Sequence, residues 1–137
     1  MLTYHPGPGA IVICDFSTGF REPEMVKVRP VVVISPRRRT GQLVTVVPLS
    51  STAPERVEPW HHQLSPGAYP PARGPIWAKC DMVVTVALHR LDRVKIKRDR
   101  NRIYQVFQVS AAELADILAC VDAALGISHR GNIRHPG

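Results

Sequence analysis

Residues 27–50 read KVRPVVVISPRRRTGQLVTVVPLS. Two valine-dominated runs flank three consecutive arginines and a Thr40-Gly41 bend, the composition of two strands and their turn. Pro30 lacks an amide donor and is expected to start the first strand, Pro30 to Ser35, rather than sit inside it. The turn then covers Pro36 to Gln42, and the second strand Leu43 to Leu49. Apolar runs this continuous, rather than alternating, suit strands buried in a barrel or sandwich interior. A hairpin brings its open ends together, because neighbouring strands lie only about 5 Å apart. Arg29 therefore comes close to Ser50 and Ser51 although they are distant in sequence.

Outward from this hairpin, Ala10 to Phe16 forms a strand entered through the Pro-Gly-Pro-Gly turn at 6–9, and residues 17–28 read as an exposed loop. The proline-rich stretch 52–75 cannot build a core; it reads as a loop with one short strand around Val57 to Leu64. Strand character returns from Ile76 to Leu88, with a break near Lys79–Asp81. KIKRDRNR at 95–102 reads as a basic turn between Leu91–Val94 and Ile103–Val109. The period then changes. Ser110 with Glu113 makes a capping box, and Val109 can staple against Leu114. Leu114, Ile117, Leu118, Val121 and Leu125 fall on one face of a helix that stops at Gly126. The expected architecture is mainly β, a small barrel of five or more strands with one C-terminal α-helix, as a single domain over 1–127. Residues 128–137 show no pattern and are expected to form a flexible tail.

The 137 residues are 45% hydrophobic, enough for one core. No run is long and apolar enough to span a membrane, and MLTYHPGPG lacks the features of a secretory leader. Cys14, Cys80 and Cys120 are odd in number and widely spaced, which argues against a disulfide framework or zinc ribbon and suits a reducing cytoplasm. The net charge of +7 and pI near 9.9 point to a polyanionic partner, nucleic acid or an acidic protein.

Arg37, Arg38 and Arg39 are a surface cluster, and Lys95, Lys97 and Arg98, with Arg100 and Arg102, are another; each suits either a solvated tip or a phosphate-tracking surface. Arg29 precedes a proline, which biases it to an extended backbone and fixes its projection. It can grip a phosphate bidentately or pair with a carboxylate such as Asp15 or Asp81. His61 and His62, adjacent on a strand, point to opposite faces and do not make a metal site together. No phosphate-loop, nucleophile-elbow or paired-carboxylate motif is present, so neither metal nor cofactor is expected.

Taken together, these blocks resemble the MazF/PemK family of toxin endoribonucleases from type II toxin–antitoxin modules. The resemblance is carried by Gly9-Ala10-Ile11-Val12 with Asp15-Phe16, then by Arg29-Pro30 through Ser35, and by Val47-Pro48-Leu49-Ser50-Ser51. Cys80-Asp81-Met82-Val83 follows, with Met82 where the family usually has glutamine, and then Arg90-Leu91 and the capped helix. It implies an SH3-like small barrel of the MazF/CcdB type and a cytoplasmic homodimer controlled by a cognate acidic antitoxin. It also implies metal-independent cleavage of single-stranded RNA, with Arg29 and Ser50 catalytic and Ser51, Asp81 and His61 as possible accessories. Among the chemically suitable general bases are His61, His62 and His89. Arg37, Arg38, Arg39, Lys95, Lys97 and Arg98 are the expected RNA contacts. Two alternatives remain: a non-catalytic basic module that binds RNA or protein, and a gyrase-poisoning toxin of the related fold.

Overall fold

The computed structural model describes residues 2–127; the tail expected at 128–137 lies outside them. Ten strands are formed: β1 (Ala10–Asp15), β2 (Val28–Val33), β3 (Leu43–Ser50), β4 (His61–Gln63), β5 (Trp77–Lys79), β6 (Val84–Ala87), β7 (Leu91–Asp92), β8 (Val94–Arg98), β9 (Asn101–Gln105) and β10 (Phe107–Gln108), followed by α1 (Ala111–Leu125). Single 3-10 turns occupy Cys80–Met82, where the strand break was expected, and Leu88–Arg90. The main sheet runs β10-β1-β2-β3-β5-β4, with β6 also on β3 and β7 also on β1. The barrel is not closed by a ladder, but the class is as expected: a mainly β fold with one C-terminal helix.

The valine runs are explained by burial on both faces. Val12, Cys14, Val31, Val33, Val44 and Val46 pack on one side with Phe16, Leu91 and the loop residues Phe20 and Met25. Their strand neighbours Ile11, Val32, Val47 and Leu49 pack on the other with Ile117 and Val121 of α1 and with Leu64 and Ala78. Gly9 leads into β1 at φ +87, donates to Val33 O at 2.7 Å and accepts from Val109 N at 2.9 Å. The positive φ is what favours glycine here; a Cβ would also come within 2.3 Å of the Gln108 side-chain Nε2, the movable end of a flexible side chain.

Two sequence expectations need correction. Pro30 lies inside β2, opposite Ile13, instead of starting the strand. The β2–β3 ladder begins only at Val31↔Pro48, so β2 has one strand neighbour at Pro30, the edge-like setting in which a missing donor is tolerated. The 95–102 segment is not a turn. It forms most of a β8–β9 hairpin whose ladder runs from Val94↔Gln105 to Arg98↔Asn101, because Lys-Ile-Lys and Arg-Ile-Tyr alternate with period two. The helix ends follow the sequence closely: Ser110 accepts from Glu113 N, and Gly126 closes α1 in the left-handed conformation.

Candidate functional site

Arg29 sits near the start of β2, opposite Cys14 of β1. The loop joining these strands folds back over it. Glu22, Pro23, Glu24, Met25, Val26 and Lys27 line an open cleft of about 550 Å³ with Arg29 and Met82. Arg90 fixes the root of this loop: its guanidinium lies 4.8 Å from the Phe20 ring centroid and donates to Asp15 O at 2.9 Å. Arg29 itself is half-buried, and its Nε is fully buried with no hydrogen-bond partner. Among the described residues it makes no salt bridge. The carboxylate alternative raised by the sequence is not realised. Asp15 instead accepts from the Ser17 hydroxyl and amide, which hold its carboxyl below the usual range. Asp81, on the Cys80–Met82 turn, is exposed and lines an adjoining cleft with Met82.

Ser50 ends β3, is buried, and accepts from Thr52 N at 3.1 Å, a local bond that sets its hydroxyl orientation. The β2–β3 ladder stops at Val31↔Pro48; continued by two residues, its register would bring Ser50 level with Arg29. Alternation along both strands puts them on one sheet face, the face of Val31, Val33, Val44 and Val46. Ser51 is exposed in the bend that follows. The Cys14 thiol opposite Arg29 is pushed up to about 12 by burial, which disqualifies it as a nucleophile at neutral pH.

The remaining sequence candidates are dispersed. His61 lies on β4, separated from β2 by β5 and β3, and its Nδ1 accepts from Glu58 N at 3.0 Å. Arg37, Arg38 and Arg39 are exposed at the closed end of the β2–β3 hairpin, a strand length away from Arg29. That turn is pinned by His5, whose Nε2 donates to Leu43 O at 3.0 Å and whose Nδ1 accepts from Arg38 N at 3.3 Å, a role the sequence did not reveal.

His62 points the other way from His61, into a second polar cluster. Its Nε2 is 2.7 Å from Oε2 of the buried Glu113, while Ser65 N donates to Oε1 at 2.8 Å. Donor atoms of His62, Glu113 and Asp116 lie within 4.8 Å of one another. Glu113 thus fastens the proline-rich segment to the first turn of α1. Burial acts to raise its pKa, but the bonds from His62 and Ser65 together outweigh that and hold the carboxyl below its ordinary value. A depressed carboxylate stabilises the fold above its unfolded pKa of about 4.3 and loses that contribution as pH falls through the folded value. Glu113→Gln is expected to cost about 1–3 kcal/mol at neutral pH and to flatten the acid limb of stability against pH, measured by denaturant unfolding between pH 3 and 7.

A family described as PemK-like, MazF-like toxin of type II toxin-antitoxin system matches residues 7–125. No curated protein matches the sequence. Among solved structures, MazF from Deinococcus radiodurans is similar with a TM-score of 0.64 at 21% identity, over 90% of this chain and 98% of that one. A mycobacterial endoribonuclease in complex with its cognate antitoxin gives 0.61 at 22% identity, over 89% and 96%. The Mycobacterium tuberculosis toxin MazF-mt6 gives 0.57 at 18% identity, over 87% and 96%. At these identities the structural likeness is one of fold.

Proposed function

Since the chain belongs to the PemK-like, MazF-like toxins of type II toxin–antitoxin systems, we propose that it is a cytoplasmic endoribonuclease that cuts single-stranded RNA at Arg29 and Ser50. The observation that carries this reading is the Arg29 side chain, partly buried beside an open cleft with its Nε unpartnered. A buried donor left unpaired costs about 1–3 kcal/mol or more when charged, and a phosphate oxygen would supply the missing acceptor.

The nucleophile is assigned to the substrate. Among the described residues no base is hydrogen-bonded to Ser50, and the buried thiols are held protonated. The 2′-oxygen of the RNA forms a bond to the neighbouring phosphorus as the bond to the 5′-oxygen breaks. The 2′-OH proton passes to solvent water, and the departing 5′-oxygen takes up a proton from water. Arg29 stabilises charge gathering on the non-bridging oxygens, and the Ser50 hydroxyl donates to one of them. The products are a 2′,3′-cyclic phosphate and a 5′-OH end, with no metal in the step. Incubation of the pure protein with a long RNA in EDTA is expected to give these ends by chemical mapping; intact RNA, or 5′-phosphate ends, would refute the assignment.

The working form is proposed to be a homodimer, held in check by an acidic antitoxin segment lying over Arg29. Leu118 and Leu125 of α1 and Ile127 just past its cap remain exposed, which supports burial against a second copy, and the +7 charge favours an acidic inhibitor.

A further inference from the structure

The β8–β9 hairpin is an insertion in an edge strand. Leu91 and Asp92 of β7 pair with Cys14 and Ile13, and Phe107 and Gln108 of β10 pair with Ile11 and Ala10. Arg93, continued in the first register, would stand level with Val12, the residue between the two ladders. The chain from Arg93 to Phe107 would therefore be one uninterrupted strand without residues 94–106. Those residues form instead a two-stranded arm rooted beside β1, about 10 Å from β2, the strand that carries Arg29.

The arm has two unlike faces. Val94, Ile96 and Ile103 share one, with Val94 buried against the sheet. The opposite face carries Lys95 directly across from Tyr104 and Lys97 directly across from Arg102, and Arg93 joins it by stacking 4.9 Å from the Tyr104 ring centroid. None of its strand positions is acidic. Like charges directly opposite each other destabilise a β-ladder, so Lys97 and Arg102 burden the hairpin they belong to. The tip adds a second cost. Asp99 and Arg100 both have positive φ, 48° and 68°, in a two-residue turn where glycine is the preferred second residue. A cation is kept where it strains the backbone. Tyr104 is 45% exposed and every residue of β9 is exposed, so neither cost is repaid by packing.

We propose that this face binds single-stranded RNA, one base stacking on Tyr104 beside Arg93 while Lys95, Lys97, Arg102 and Arg100 track the phosphates. The proposal rests on RNA being the substrate, and it names a contact outside the Arg29 cleft. A ring already flanked by a guanidinium suits sequence-tolerant base stacking, and the cation row suits the sugar-phosphate chain.

The test is equilibrium binding of a fluorescent single-stranded RNA, made uncleavable by 2′-deoxy substitution, across a salt series. Tyr104→Ala is expected to weaken binding about 10-fold with little change in salt slope, and Tyr104→Trp to restore it. Lys95→Ser/Lys97→Ser/Arg102→Ser is expected to reduce the slope of log K against log salt by about 2, at about 0.7 per phosphate on a single strand. Arg100→Gly is expected to raise Tm while lowering affinity several-fold, a combination that a purely structural tip residue would not give. Unchanged affinity and slope in these variants, each with an intact thermal transition, overturn the proposal. So does binding of poly-glutamate as tight as RNA and indifferent to Tyr104→Ala, which would mark an acidic-protein surface. The binding readout is independent of catalysis: RNA bound through the arm but never cut sinks the nuclease reading alone, whereas RNA cut normally with affinity indifferent to the arm sinks the arm alone.

Discussion

An RNA with deoxyribose at the single nucleotide preceding the scissile phosphate is expected to be bound with near-normal affinity and left uncut. The effect should be the largest of any single change, because it deletes the proposed attacking atom while leaving every protein contact in place. Among the described residues no protein group is poised to replace it. No base among them is hydrogen-bonded to the Ser50 hydroxyl, which accepts from Thr52 N, and burial pushes Cys14 and Cys80 to about 12, so thiolate is scarce at neutral pH. The comparison requires two RNAs identical except at that position, resolved by denaturing electrophoresis in EDTA. Equal cleavage rates would eliminate 2′-OH attack.

Arg29→Ala is expected to lower single-turnover cleavage about 100-fold or more, the range in which preorganised contacts to a developing oxyanion act. Arg29→Lys should recover only part of this, since an ammonium cannot reproduce the planar fork. Stability supplies the control. Removing a half-buried guanidinium whose Nε has no partner is not expected to lower Tm, so the loss of rate would belong to the chemistry. Ser50→Ala should also be slow, while Ser51→Ala, changing an exposed side chain in the bend, should be close to wild type. A rate for Arg29→Ala within about threefold of wild type would remove it from the site.

What could be read in the sequence was local. Ser110, Glu113 and Gly126 announce α1 to the residue because caps are nearest-neighbour chemistry. The β2–β3 hairpin was legible from its valine runs and turn. Pro30 misled because a proline reports its missing donor, not whether a neighbouring strand has yet begun at that level. The arm was misread because its charge suggested a turn, while the alternation of Lys95-Ile96-Lys97 was the better guide. The His62–Glu113 bond and the pinning of the arginine turn by His5 had no sequence signal. Each joins residues tens of positions apart, and only the topology brings them together.

The interruption of the β7–β10 strand also bears on self-association. An outer strand with unpaired amides and carbonyls invites another chain to add on, and a long flat one is where fibrils begin. Here that border is cut into two pieces of two residues each, with a charged hairpin standing between them, and Leu2 N already occupies Leu91 O. The opposite border, β4, is only three residues long. Both of these borders are short, as is β6 (Val84–Ala87) on β3, so the main sheet presents no long flat edge of the kind that templates strand addition.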